Sequence, residues 1–168
     1  MGRLLGEEGI AIRFGGGDFG LMGALARGAQ AAGGEITGVI PRFMVEAGWA
    51  HPGVEQIVVE DMAERKRRLI RESDGVIALP GGTGTLEELS EALVSKQLGF
   101  VNIPIVILNS RGFYDDLLSF FERMIREHFM RPIHRKMWSV AEHAAGVPAA
   151  LRDAPPWGAE EAGMAKIG

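Results

Sequence analysis

The chain contains no cysteine in 168 residues, so it has neither a disulfide framework nor thiolate chemistry. It has no excess of positive charge. Its 18 Lys and Arg face 22 Asp and Glu, a formal net charge of −4, which gives none of the basic footprint of a nucleic-acid binder. No apolar run approaches the roughly 18 residues of a membrane span, and the first eight residues lack a signal peptide's apolar core. The four histidines, His51, His128, His134 and His143, show no metal-ligand spacing, and no carboxylate cluster accompanies them. These absences point to a cytoplasmic protein with no metal, no cofactor, and no nucleic-acid or membrane partner.

What is present is ordinary for a globular domain: 46% hydrophobic and 24% charged residues. Short apolar runs at residues 10–14, 35–40, 55–60, 75–79, 104–109 and 138–141 read as strands. Helical stretches lie between them, and residues 1–9 read as the end of a helix closed by Gly9. Continuously apolar strands alternating with helices predict a doubly wound α/β fold, a parallel sheet covered on both faces. Residues 1–152 are expected to form one domain. Residues 153–168, with Pro155-Pro156 and little patterning, are expected to be a flexible tail.

Two glycine-rich turns follow strands and open helices, where ligands of such sheets bind. Residues 15–20, Gly-Gly-Gly-Asp-Phe-Gly, satisfy G-x-G-x-x-G. The dinucleotide version also needs an acid at the end of the next strand; Glu35 begins that strand and Pro41-Arg42 ends it, which argues against NAD. Gly16 and Gly17 are better read as one wall of a nucleotide pocket. The second turn, residues 79–88, reads Leu-Pro-Gly-Gly-Thr-Gly-Thr-Leu-Glu-Glu before a helix expected over 86–98, with Leu86, Leu89, Leu93 and Val94 at helical spacing. No Lys follows its last glycine, so it is not a triphosphate loop. Gly81, Gly82, Thr83, Gly84 and Thr85 suit a single monophosphate held by backbone N–H groups and two hydroxyls. Glu87 and Glu88, expected in the first helical turn, point about 100° apart, so one of them at most faces a ligand. A carboxylate beside phosphate asks for a cation, and the basic run 65–68 on the preceding helix offers four. Met22, Met62 and the aromatics are expected in the core or lining a base pocket.

These residues resemble the LOG ("lonely guy") family, the cytokinin riboside 5′-monophosphate phosphoribohydrolases, often labelled lysine decarboxylases. The resemblance rests on residues 15–23, Gly38-Val39-Ile40-Pro41, Met62 with Glu64-Arg65-Lys66, residues 80–88, Gln97-Leu98-Gly99 and Gly112-Phe113-Tyr114. It implies a Rossmann-like fold, a homodimer, and hydrolysis of the N-glycosidic bond of a nucleoside 5′-monophosphate, such as a cytokinin nucleotide or AMP, to free base and ribose 5-phosphate. Matched to the family's motifs, the catalytic pair falls on Arg65 and Glu88 and the phosphate loop on residues 81–85. Met62 and Lys66 join the substrate-binding candidates. Ala63 stands where the family usually has His. Family members begin with a strand and a Gly-Ser-rich loop, whereas this chain begins within the following helix, so the sheet is expected to lack the usual first strand. The alternative is a non-catalytic binder, such as a nucleotide sensor or a carrier resembling molybdenum-cofactor carriers. Lysine decarboxylation would need a Lys forming a Schiff base with pyridoxal phosphate, and Lys66, Lys96, Lys136 and Lys166 have no supporting sequence context.

Overall fold

The computed structural model describes residues 1–164. Two compact units divide the chain, Met1–Ser73 and Asp74 onward.

The first unit runs α1 (Gly2–Glu7), β1 (Ile12–Phe14), α2 (Gly20–Ala31), β2 (Ile36–Pro41), α3 (Arg42–Glu46), β3 (Glu55–Val59) and α4 (Met62–Arg71). Its sheet is parallel in the order β1-β2-β3, with Ile12 opposite Ile36 and Val39 opposite Ile57. The central strand β2 buries four consecutive residues from Gly38 to Pro41, the mark of a strand covered on both faces. Leu5, Ile12, Phe14, Ala26, Ala29, Val39, Ile40 and Ile70 are all buried. α1 packs on α2, and Gly9 closes it with φ +67°, where glycine carries no Cβ penalty.

The second unit runs β4 (Val76–Ala78), α5 (Thr83–Gln97), β5 (Ile105–Leu108), α6 (Asp115–Arg126), a 3-10 helix (Pro132–Met137), β6 (Ser139–Ala141), α7 (Val147–Arg152) and α8 (Ala159–Met164). Its sheet is parallel in the order β4-β5-β6, with Ile77 opposite Val106 and Ile107 opposite Val140. All four side chains of the central β5 are buried, each contributing about 2 kcal/mol of apolar transfer. The fold is the Rossmann-like α/β class expected, with the strands distributed over two three-stranded sheets. β1 and β3 are the edge strands of the first sheet and β4 and β6 those of the second, within the described residues.

Three expectations need correction. α5 starts at Thr83 rather than Leu86, because Thr and Gly in the first turn leave its N–H groups free at low steric cost. On that helix Leu89 and Leu93 are buried, but Leu86 and Val94 lie outside the core at 41% and 51% exposure. Residues 153–158 are irregular, as the lack of patterning implies, yet Trp157 is 2% exposed and its indole donates to the Lys96 carbonyl at 2.7 Å. The expected tail is therefore anchored at that point. Residues 165–168 lie outside the described residues.

Candidate active site

In the first unit the glycine turn leaves the end of β1. Gly16 adopts φ +77°, and a Cβ there would run into the Gln56 side chain and Ile40. Its carbonyl accepts from the His51 backbone N–H at 2.8 Å and from Gln56 Nε2 at 3.1 Å. Gly17 bridges Ala50, and the Asp18 carboxylate accepts from Arg27 at 3.0 Å. The turn is thus fixed from its inner side. α2 then opens from an extended Phe19 with no side-chain cap, and Phe19, Gly20, Leu21 and Met22 are exposed. Phe19, Met22, Phe43 and Trp49 all lie outside the core, which leaves only the pocket-lining half of the expectation open to them. Glu35 precedes β2, at the strand end opposite the turn. Arg42, at the other end of β2, pairs with Glu60 at 2.6 Å. No acid stands where a dinucleotide ribose would need one.

α4 settles which basic residue turns inward. Asp61 caps the helix, its carboxylate accepting from the Glu64 N–H at 2.7 Å. Glu64 in turn accepts from Arg68 Nε and a terminal nitrogen at 3.1 and 3.0 Å. Arg67 is exposed, and Lys66 and Met62 are half-buried. Arg65 alone of the run is buried, at 8% exposure. Its Nε donates to the Val39 carbonyl at 3.0 Å and a terminal nitrogen donates to the Gly15 carbonyl at 3.4 Å. A guanidinium presents five donors in a fixed fork, so Arg65 can tie the glycine turn to β2.

In the second unit the turn after β4 becomes the first turn of α5. Gly82 is the extended N-cap and has no side-chain cap, so the N–H groups of Thr83, Gly84 and Thr85 belong to the unsatisfied set at the positive end of the helix. Gly81, Gly82, Thr83 and Gly84 are exposed and Thr85 is half-buried. A Cβ at Gly81 would collide with the Thr85 side chain, whereas Gly82 and Gly84 face open space. With the helix starting at Thr83, Glu87 and Glu88 fall in its second turn, and no acid lies in the first. Less negative charge therefore sits beside the N–H groups than the sequence reading implied. Glu88 is half-buried and Glu87 exposed.

The base of this turn is held by residues that carry no strong sequence signal. The buried Tyr114 hydroxyl donates to the Leu79 carbonyl at 2.6 Å. Asn109, buried at the end of β5, accepts from the Tyr114 N–H at 2.7 Å and donates to Asp115 at 2.8 Å. Burial pushes the Tyr114 phenol above its ordinary value, which keeps it protonated as a donor. Tyr114 belongs to the Gly112-Phe113-Tyr114 motif, but nothing in that motif announces this bond. Gln56 and Asn109 show nothing beyond a polar residue within or just after an apolar strand. His51 and His134 are buried, and among the described residues no group of three or more His, Cys, Asp or Glu is arranged to hold a metal.

Comparison with known proteins adds the ancestry. A rice (Oryza sativa subsp. japonica) protein named "Probable cytokinin riboside 5'-monophosphate phosphoribohydrolase LOGL5" is 37% identical over 157 residues, covering 93% of this chain and 64% of that one. The cytokinin riboside 5'-monophosphate phosphoribohydrolase of Rhodococcoides fascians is 40% identical, over 90% of this chain and 78% of its own length. LOG5 of Arabidopsis thaliana, which carries the same enzyme name, is 41% identical over 80% of this chain and 60% of its own length. The chain thus spans less than two thirds of the rice and Arabidopsis relatives. Among solved structures, the molybdenum cofactor carrier protein of Chlamydomonas reinhardtii superposes with a TM-score of 0.67 at 25% identity, covering 90% of this chain and 81% of that one. The molybdenum cofactor binding protein of Rippkaea orientalis shares the fold, with a TM-score of 0.68 at 22% identity over 90% and 82% of the two chains. The family model described as "Possible lysine decarboxylase" matches residues 22–151. With that match and a bacterial relative covered over most of both chains, the chain belongs to the LOG family.

Proposed function

We propose that the chain hydrolyses the N-glycosidic bond of a nucleoside 5′-monophosphate, a cytokinin riboside monophosphate or AMP. Water adds to the anomeric carbon, the C–N bond breaks, and the base leaves with a proton, giving free base and ribose 5-phosphate. The observation that carries this reading is the first turn of α5. Thr83, Gly84 and Thr85 present an exposed helix start with no acid among them, suited to one phosphate. Gly82 and Gly84 leave open space over it. The names of the relatives supply the substrate class.

In this reading Glu88 stabilises the oxocarbenium-like ribose and orients the attacking water, as carboxylates do in glycosidases. Arg65 balances negative charge. Its bonds to the Gly15 and Val39 carbonyls also hold the glycine turn that walls the nucleotide. Gly16, Gly17, Met62 and Lys66 complete the binding residues. Pyridoxal chemistry does not fit this donor set. Lys96, the buried lysine, is 13 residues along α5 from Thr83, about 20 Å at the helical rise.

We read the protein as a cytoplasmic homodimer. Leu86, Val94 and Leu98 recur at four- and eight-residue intervals on the outer face of α5 and are 41%, 51% and 60% exposed. Such a stripe suits a second copy. Light scattering after size exclusion checks the dimer.

The test of the activity is incubation with AMP and with isopentenyladenosine monophosphate, separating base from nucleotide. Release of base with an equal amount of ribose 5-phosphate is expected, at a rate at least about a hundredfold lower in Glu88→Gln. Base release unimpaired by Glu88→Gln would remove that residue from catalysis. Binding of both nucleotides without release of base would favour the carrier or sensor reading.

A further inference from the structure

α5 ends in a buried lysine. Lys96 is 2% exposed, and burial alone, with no neighbouring carboxylate among the causes, lowers the affinity of its side-chain nitrogen for a proton. It lines a cavity of about 390 Å³, within the range of small-molecule sites. Ile103, Pro104, Leu151, Pro156 and Trp157 form its apolar wall, and Asn102 adds a neutral polar side chain to the lining. Trp157 is bound to the same lysine through its indole N–H on the Lys96 carbonyl. Pro104 immediately precedes β5, and its carbonyl accepts from the Val76 N–H at the start of β4. The cavity therefore opens where these strands begin, while the glycine turn lies where β4 ends.

The other charges around the cavity are Arg152 at the end of α7 and Glu161 on α8. Glu161 is engaged elsewhere. One oxygen accepts from the Gly158 N–H at 3.0 Å, and the other lies 3.8 Å from Lys136 of the 3-10 helix. Burial makes the charged form of Lys96 costly. A ligand that brings one negative charge and an apolar body removes that cost and fills the walls.

We propose that this cavity binds a small hydrophobic carboxylate, its carboxylate paired with the Lys96 ammonium and its apolar body against Pro104, Leu151, Pro156 and Trp157. A second negative charge would meet Glu161, which stands in the same lining. The site is independent of nucleotide hydrolysis.

A pH signature follows. Burial pushes the Lys96 ammonium down to about 8, and a bound carboxylate favours the protonated form. Affinity is then constant below pH 8 and falls about tenfold for each pH unit above it. At pH 8.5 binding takes up part of a proton, because part of Lys96 is unprotonated in the free protein.

The experiment is titration calorimetry of the full chain with phenylacetate. Saturable binding is expected, with the proton uptake read from the difference in heat between Tris and phosphate buffers at pH 8.5. The neutral isostere phenylacetamide binds at least about tenfold more weakly, and so does phenylacetate to Lys96→Met. The proton uptake needs no variant, so a Lys96→Met protein that fails to fold leaves the test intact. No saturable binding up to about 10 mM, equal affinity for phenylacetamide, no proton uptake, or unchanged binding in folded Lys96→Met each overturns the proposal.

Discussion

Replacing Lys96 with Met should make the protein more stable at neutral pH. In the unfolded chain the ammonium has the ordinary value of 10.5; in the folded protein burial brings it down to about 8. That fall corresponds to about 3 kcal/mol of penalty on the charged form. Water at the open mouth of the cavity screens part of it, so about 2 kcal/mol is the working figure. The sign is set by linkage. Below pH 8 both states carry the proton and the folded state bears the whole penalty. Between pH 8 and about 10.5 the unfolded chain binds more protons than the folded one, so stability rises with pH. Met matches the length and flexibility of Lys and adds no charge. Lys96→Met should therefore gain about 2 kcal/mol at pH 7, a rise in Tm of about 4–8 °C for a chain of this size. The gain should shrink towards zero by pH 10.5. Urea unfolding of both proteins at pH 7, 8, 9 and 10 reads the difference directly, because other alkaline titrations cancel between them. A Lys96→Met protein that is less stable at pH 7, or a difference independent of pH, would refute the reasoning.

Three further substitutions bear on the turns. Gly84→Ala should leave folding intact and add up to about 0.5–1 kcal/mol, because Gly84 is helical and its Cβ would meet open space. The same methyl should raise the KM for AMP at least about tenfold if phosphate sits over this turn, which initial-rate kinetics would show. Tyr114→Phe removes the donor to the Leu79 carbonyl, a loss of about 1–2 kcal/mol in urea unfolding, and should raise KM more than it lowers kcat. Arg65→Lys keeps the charge but cannot reach both the Val39 and Gly15 carbonyls with a planar fork. It should lose about 1–3 kcal/mol of stability and most activity, whereas full activity would show that charge alone suffices.

The alternation of apolar runs with amphipathic stretches is enough to read six strands and the helices between them; β5 is buried throughout and carries an unbroken apolar run, and the buried half of β2 is Gly38-Val39-Ile40-Pro41. The glycine turns were legible for the same kind of reason: a positive φ at Gly16 and the close approach of Gly81 to Thr85 demand glycine. The start of α5 was misread because Thr and Gly are poor helix formers, and here the end of β4 and the capping Gly82 override that preference. The choice among Arg65, Lys66, Arg67 and Arg68 was invisible to spacing. The packing of α4 turns Arg65 inward onto the Val39 carbonyl, while Arg68 stays on Glu64. Trp157 and Lys96 were missed together. A tryptophan after two prolines looks like tail, and a lysine in the last turn of a helix looks like a favourable dipole partner. Only the tertiary packing of the two reveals a core contact.

The two turns share a mechanical problem and solve it in parallel ways. Each leaves an edge strand of only three residues, β1 or β4, that pairs on one side alone among the described residues. Such a strand has half the ladder of a central one, so its end is the least constrained part of its sheet. A phosphate or sugar site needs the opposite, backbone groups held within a fraction of an ångström. In the first unit side chains from β3 and α4 supply the missing constraint, with Gln56 on the Gly16 carbonyl and Arg65 on the Gly15 carbonyl. In the second unit the Asn109–Tyr114 pair does the same for the Leu79 carbonyl. In all three bonds a side-chain donor takes a carbonyl at or beside the end of an edge strand. The rigidity of each turn thus comes from side chains behind the chain. For this reason the holding residues should be as sensitive to substitution as the residues that touch the ligand.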